Sequence, residues 1–351
     1  MKKLLITASI YLIALLSAAS IQAAPFSSLY AFGDSLSDGG NSSTAVMSIY
    51  KLLSNNCDPG HPCPPYVDGH YSNGKVAVEY LADSILPGGA NPGNFFNFAV
   101  AGATSGIGNY GDGGSATLLG AYGLPGIQAE VASYLSITVG SADPGALYFI
   151  WGGANDFLTN DSPVDAAQNI ASTISVLIGA GANHFFIPNL PDLGLTPLAG
   201  MMGLVTEATG FSMAFNAELA AQLALLNALN PAANLILFDT FSIFNQIIAN
   251  PDAYGFTNTG IPCLLPLADN VCSDPGSHLF WDDLHPTTQA HAVFATAFAR
   301  AIPLPGTFAL LMAGLLALIL LSAGKIKHTQ IGTRATCPRI KAGMTGMLQS
   351  T

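Results

Sequence analysis

Five short apolar runs, each about the length of a strand, constrain this chain more than any other feature. They are Leu29-Tyr30-Ala31-Phe32, Phe95 to Val100, Leu147 to Trp151, His184 to Ile187 and Leu235 to Phe238, bounded by Gly, Pro or Asn. Stretches that repeat apolar residues near a 3.6 period alternate with them: Gln128 to Leu135, Val164 to Ile178, Phe211 to Leu229, Phe241 to Ile248 and Thr287 to Ala301. Asp161-Ser162-Pro163 is a start signal for the second of these helices, and Gly179 and Gly181 are a stop. The alternation predicts an α/β domain with a parallel sheet covered on both faces. Such sheets bind ligands at the carboxyl ends of their strands. No internal repeat is evident. The loops Ser54–Asn73 and Thr104–Gly126 are long and rich in Gly, Pro and Asn, which marks them as functional or mobile; the glycines of the second predict local mobility.

With 351 residues, 50% of them hydrophobic and only 9% charged, the chain is far too apolar for a disordered protein. Its ten Lys and Arg are unevenly placed: Lys2 and Lys3 open the chain, and five more follow residue 324. Between them only Lys51, Lys75 and Arg300 stand against all 21 Asp and Glu, a net charge of −18. A body so acidic repels phosphate backbones and excludes nucleic acid as a partner.

Both ends read as targeting segments. Lys2 and Lys3, the apolar run Leu4 to Ala19 and the small residues before Pro25 predict a secretory signal peptide over residues 1–24, the alternative being an uncleaved anchor. The folded body then spans residues 25–302. Thr307 to Ala323 carries no charge and meets the short limit for a membrane helix, about 17 residues. A buried core helix is the alternative, but such helices are amphipathic and this one is apolar on every side. Lys325, Lys327 and His328 follow it and should hold the tail, residues 329–351, on the cytoplasmic side.

Cys57 and Cys63 lie six apart in a Pro-rich loop, and Cys263 and Cys272 nine apart in another, while Cys337 belongs to the tail. The first four allow three pairings, and nearest-neighbour pairing predicts two short loop staples formed in an oxidising compartment. A zinc site from the same four fits less well, because neither spacing matches the usual clip.

Four motifs fall at strand exits or in the last loop: Phe32-Gly33-Asp34-Ser35-Leu36-Ser37-Asp38, Asn97 to Ala103, Trp151-Gly152-Gly153-Ala154-Asn155-Asp156, and Phe280-Trp281-Asp282-Asp283-Leu284-His285-Pro286. Each alone is ordinary turn or cap chemistry. Together and in this order they resemble the GDSL family of SGNH esterases and lipases, over roughly residues 26–302. Asn189-Leu190-Pro191-Asp192-Leu193-Gly194 also resembles a segment of the lipase-like branch. No Gly-x-Ser-x-Gly elbow is present, so the ordinary α/β-hydrolase pattern lacks its central residues. The resemblance implies a flavodoxin-like three-layer sandwich around about five parallel strands. It also implies Ser35 as nucleophile, His285 as its base and Asp282 as the group orienting the imidazole, with Asp283 the rival for that role. The Ser35 and Gly102 backbone N–H groups and the Asn155 amide would form the oxyanion hole. Chemically, a serine hydroxyl needs a base for its proton, and that base needs a third group to fix its tautomer. Gly102 is expected to let the backbone approach the substrate. No metal or organic cofactor is required; a metal held by Asp282, Asp283 and His285 is a weaker alternative that lacks a His-Glu-x-x-His pattern.

Ile302-Pro303-Leu304-Pro305-Gly306, the apolar helix and the basic cluster over residues 303–328 resemble a PEP-CTERM sorting signal. That resemblance implies export from a Gram-negative bacterium to the periplasm, cell surface or exterior, at least transient membrane anchoring, and an exosortase among the partners. Gly306 and the thin basic cluster depart from the pattern. The expected activity is hydrolysis of carboxylic esters, first of fatty-acyl or phospholipid esters. Two alternatives stand beside it: an O-acetylesterase of extracellular polysaccharide, and a surface-anchored binding protein on an inactive hydrolase fold.

Overall fold

A computed structural model describes residues 26–45, 57, 60–265 and 270–303. The expected signal peptide at residues 1–24, the apolar segment at 307–323, the rest of the expected sorting signal from residue 304 and Cys337 lie outside them. Among the described residues no helix is long and apolar enough to cross a membrane.

Strands β1 (Leu29–Gly33), β2 (Phe95–Asn97), β3 (Leu147–Trp151), β4 (His184–Pro188) and β5 (Asn234–Phe238) form one sheet in the order β2-β1-β3-β4-β5. Every pairing is parallel, with Leu29 opposite Phe95 on one side and Leu147 on the other. Helices α1 (Ala77–Ile85), α2 (Ile127–Ile137), α3 (Ala154–Leu158), α4 (Pro163–Gly179), α5 (Pro197–Met202), α6 (Val205–Leu229), α7 (Thr240–Ala249) and α8 (Thr288–Ala301) connect and flank the strands. A two-stranded antiparallel ribbon, β6 (Leu264–Leu265) with β7 (Asn270–Val271), stands apart from the sheet. The chain leaves β1 for β2 on one side and returns to β3 on the other. The carboxyl ends of β1 and β3 therefore flank a crevice of the kind in which such sheets bind ligands.

Side chains alternate across the strands, so two apolar layers form. Phe32, Tyr148, Ile150, Phe185 and Ile187 face Tyr134 of α2, Ile170 and Ile174 of α4 and Phe215 of α6. On the other face the Phe298 ring of α8 meets Phe149, Trp151, Phe186 and Phe238, with Phe294 one turn earlier. All five β3 residues are buried, as a central strand covered on both sides requires. The Tyr134 and Tyr148 hydroxyls bond each other at 2.9 Å, and Tyr148 also donates to the Asp143 carbonyl, so neither buried phenol is left unpaired.

The element readings differ from the structure mainly at ends. Pro163 opens α4 behind the Ser162 cap, and the helix ends at Gly179 with Gly181 in the left-handed region. β2 stops at Asn97, not Val100, because the Asn97 carboxamide oxygen takes the Ala99 N–H and bends the chain. α6 starts at Val205, six residues before the expected Phe211; Val205, Thr206 and Glu207 are exposed there and Ala208 alone is buried, too little for an apolar period. α1 was not anticipated, although Ala77, Val78, Leu81, Ala82 and Ile85 make a buried stripe at helical spacing. Short α3 follows Gly153, which sits in the left-handed region, and short α5 opens on Pro197 behind the Thr196 cap.

Truncating Phe298 removes the ring that joins four others beneath the sheet. Phe298→Ala should lower unfolding free energy by about 3–5 kcal/mol, read as a lower urea midpoint with an unchanged m-value.

Candidate active site

The turn after β1 is built for close approach. A side chain at Gly33 would overlap the Trp151 carbonyl oxygen of the neighbouring strand. The Asp34 carbonyl then accepts the N–H groups of Ser37 and Asp38, and one Asp34 carboxylate oxygen accepts that of Leu36. This tight turn lifts Ser35 to the crevice between β1 and β3.

The Ser35 hydroxyl lies 2.8 Å from His285 Nε2, joining positions 250 residues apart. Nδ1 of the same ring lies 2.7 Å from Asp282 Oδ2 and 3.0 Å from Oδ1. The Asp282–His285 turn is self-supporting, since Asp282 Oδ1 accepts the backbone N–H groups of Leu284 at 2.9 Å and His285 at 2.6 Å. Tyr66 adds a donor, its hydroxyl 2.7 Å from Asp282 Oδ2. Ser35, Asp282 and His285 are 6%, 4% and 6% exposed, so these charges interact with little screening by water. Asp283 lies off this line; it is half-buried, and its backbone carbonyl accepts the Leu198 N–H.

The electrostatics follow from burial set against pairing. Burial alone would raise the Asp282 carboxyl, but the His285 charge and hydrogen bonds, with that of Tyr66, outweigh it and hold the group at about 2. Burial would lower His285, yet the carboxylates of Asp282, Asp34 and Asp283 raise it above the ordinary imidazole value. Asp34 itself is pushed up to about 6 by burial, against the pull of the Leu36 N–H. An imidazole so held can take the Ser35 proton on Nε2 while Nδ1–H stays directed at Asp282.

Three amide donors face the same space. Among the described residues neither the Ser35 nor the Gly102 backbone N–H has a hydrogen-bond acceptor. The Asn155 amide, at the start of α3, donates to the Ala103 carbonyl at 2.9 Å and lines the cleft beside them. Gly102 sits at φ +80°, and a side chain there would overlap Asn109 Oδ1. Glycine is thus required by backbone conformation and by Asn109, in addition to any approach of substrate.

Buried polar side chains anchor the loops that present these donors. Glu130 bonds the N–H groups of Gly33 and Val100, tying the exits of β1 and β2. Asp38 bonds the Ala101 N–H, and Asn109 donates to the Ala101 and Pro125 carbonyls. Asp156 holds the Ser105 N–H and hydroxyl. Burial raises Glu130 well above the usual carboxyl range and Asp156 to about 7. In Thr104–Gly126 the glycines at 106, 108, 114, 120 and 126 leave no room for a side chain against neighbouring backbone or Asp112. These five serve close packing, whereas Gly113 and Gly123, at φ +83° and +66°, have open space where a side chain would be.

An open cleft of about 550 Å³ runs past Ser35, Gly102, Asn155 and His285, with Tyr71, Tyr110 and Leu198 on its walls. A narrow apolar slot leaves it beneath Ser35, between Leu36, Trp151, Pro191, Phe244, Phe280 and Phe294. A second, between Phe157, Leu158, Leu198 and Met202, opens beside Asn155. The Asn189–Gly194 segment helps to wall the first slot through Pro191 and Leu193, while the Asn189 carboxamide oxygen accepts the N–H of Phe241 in α7.

Four residues around the site carried no sequence signal. Tyr66, His61 and Tyr71 come from the first long loop, and the His61 and Tyr71 ring centroids lie 5.9 and 5.3 Å from that of His285. Glu130 sits on an ordinary helix. The loop's Pro-rich, Cys-bearing composition was the one available hint.

Both predicted disulfides form, Cys57–Cys63 and Cys263–Cys272. The second removes its two sulfurs from the Cys263, Cys272, His278 group as metal ligands. Donor atoms of His61, Asp282 and His285 lie within 4.8 Å of one another. A cation there would have to displace the protons that His285, Tyr66 and two backbone amides direct at Asp282.

Residues 29–298 match the GDSL-like lipase/acylhydrolase family description. The chain belongs to that family. It is a carboxylic ester hydrolase, as are the relatives named for that activity. This GDSL hydrolase is 28% identical over 298 residues to the thermolabile hemolysin of Vibrio parahaemolyticus, covering 79% of this chain and 64% of that one. It is 27% identical over 328 residues to a GDSL esterase/lipase of Arabidopsis thaliana, covering 83% of this chain and 95% of the relative. A lipolytic G-D-S-L protein from Veillonella parvula aligns with a TM-score of 0.40 at 13% identity, over 78% of this chain and 97% of that one.

The coupling between Asp282 and His285 is directly measurable. In Asp282→Asn the His285 ring should titrate lower than in the native GDSL hydrolase, read by NMR of the imidazole protons, because the carboxylate that raises it is gone.

Proposed function

We propose that this hydrolase cleaves fatty-acyl esters through an acyl-serine intermediate on Ser35. The hydrogen-bonded line Ser35–His285–Asp282 at the mouth of an apolar slot carries the reading. His285 Nε2 takes the Ser35 proton as the hydroxyl oxygen attacks the ester carbonyl. The N–H groups of Ser35 and Gly102 and the Asn155 amide stabilise the oxyanion; loss of one such donor typically costs about 10²–10³ in rate. His285 then gives its proton to the departing alcohol. Water, deprotonated by the same ring, attacks the acyl-serine and releases the acid.

The two slots have aromatic and aliphatic walls but enclose only about 30 Å³ each, so a long acyl chain would lie along the cleft of about 550 Å³ and reach into them with one part of its length. A relative named a hemolysin fits a lipid substrate. The signal-like amino terminus and two disulfides in the body support export, and the apolar segment at 307–323 with its basic flank supports anchoring and sorting at the membrane.

Nitrophenyl esters of increasing chain length provide the main test. Decanoyl or longer esters should be hydrolysed with higher kcat/KM than acetyl; activity on acetyl alone would transfer the reading to a deacetylase of acylated polysaccharide. Ser35→Ala should abolish hydrolysis and labelling by a fluorophosphonate while leaving the fold intact.

Because His285 must be neutral to act as base, and its neighbours raise it, the rate should fall as pH drops through a value above 6.5. A flat profile from pH 5 to 8 would contradict the role of His285.

A further inference from the structure

We propose that Tyr66 is a positioning residue for hydrolysis, its hydroxyl fixing the Asp282 carboxylate toward His285. The inference rests on the reading of Ser35, His285 and Asp282 given above.

Asp282 is buried, and among the described residues no cation lies with the partners of its carboxylate apart from the imidazole it serves. A carboxylate offers about four lone-pair sites. Two backbone N–H groups take Oδ1, both from the turn that Asp282 itself closes. Oδ2, the oxygen nearest His285 Nδ1, receives one further donor, the Tyr66 hydroxyl at 2.7 Å from 216 residues away. Without it, Oδ2 would be held only by the imidazole whose place it is meant to set. Tyr66 therefore supplies the second point that sets the carboxylate plane.

The phenol is well held. It is buried, and its ring packs edge-on to Trp281, the residue before Asp282, at a centroid distance of 6.1 Å. Tyr66, Trp281, Cys263 and Leu264 form one small apolar cluster against which Cys63 and Cys272 also pack. The Tyr66 N–H bonds the Pro62 carbonyl, and the Gly69 N–H bonds Cys63 Sγ, so the clipped loop carries the ring as a unit. The other loop pairs with the site from behind: the Cys263 and Leu264 N–H groups bond the Phe280 and Trp281 carbonyls.

The hydroxyl also shares the charge of Oδ2. When it is removed, the carboxylate leans more on the imidazole, which then holds its proton more tightly. Around His285 stand the carboxylates of Asp282, Asp34 and Asp283, the His61 and Tyr71 rings, and more distantly His291 of α8. Tyr66→Phe changes none of these directly, so a shift in the titration of His285 reports the lost hydroxyl.

The test is Tyr66→Phe in the full, disulfide-bonded chain, with the active fraction counted by fluorophosphonate labelling. kcat per labelled site should fall roughly tenfold, as expected for one lost hydrogen bond to a charged group, with KM changed less than twofold. The acid limb of the rate profile should move to higher pH, and so should the His285 imidazole signal by NMR. If kcat per site and the acid limb both match the native enzyme, Tyr66 does not position Asp282. A loss of activity matched by the loss of labelled sites, with an unmoved NMR titration, would also overturn the proposal and assign Tyr66 a folding role. Ser35→Ala, measured in parallel, separates the two readings: hydrolysis that survives it sinks the assignment of Ser35, whereas an inactive Ser35→Ala beside a native-like Tyr66→Phe sinks only Tyr66.

Discussion

Carboxylates without cations hold this site together. Between the two basic ends the chain has three Lys and Arg against 21 Asp and Glu, so buried acids there find few side chains of opposite charge. They are satisfied by backbone N–H groups instead: Glu130 by Gly33 and Val100, Asp38 by Ala101, Asp156 by Ser105, Asp282 by Leu284 and His285. A carboxyl group held by two donors has little freedom to turn. Glu130, Asp38 and Asp156 fix loops at the carboxyl ends of strands in this way, and Asp282 fixes the last loop. Ser35, Gly102 and Asn155 all lie within a few residues of such an anchor.

That arrangement explains how much could be read from the chain alone. β3 was legible to the residue, because a strand buried on both faces has to be apolar throughout, and Leu147–Trp151 is. The Ser35, Asn155 and His285 blocks could be singled out because their order along the chain resembles the family pattern, two at strand exits and one in the last loop, and the structure brings the three together around one cleft. The spacing of Asp282 before His285 was legible because one turn closes it. Tyr66 and Glu130 were not, since their partners lie 216 and 97 residues away and a single Tyr or Glu makes no local pattern. The packing role of most glycines in 104–126 was illegible for a related reason: composition reports freedom of the backbone, whereas five of them in the folded loop also use the missing side chain as space.

The two disulfides have a common address. One clips the loop that bears His61, Tyr66 and Tyr71, and the other clips a ribbon paired to Phe280 and Trp281. Both converge on the turn that carries Asp282, although neither sulfur pair is near the sheet core by sequence. Cross-links placed this way limit the freedom of the loops around Asp282 as well as adding to the stability of the domain.

The raised carboxyls of Asp34, Asp156 and Glu130 have a thermodynamic corollary. Each binds its proton more tightly folded than unfolded, so near neutrality the chain takes up protons as it folds. The destabilisation they impose is present in full above their folded values and fades as pH falls toward the ordinary carboxyl range. His291 opposes them below 6.5, being held neutral down to about 3, but it is one group against three. Mild acid thus relieves the cost that burial places on these three carboxyls, and it does so in the direction that protonates the imidazole of His285. For these carboxyls the pH that costs the fold least lies below the pH at which that ring is neutral.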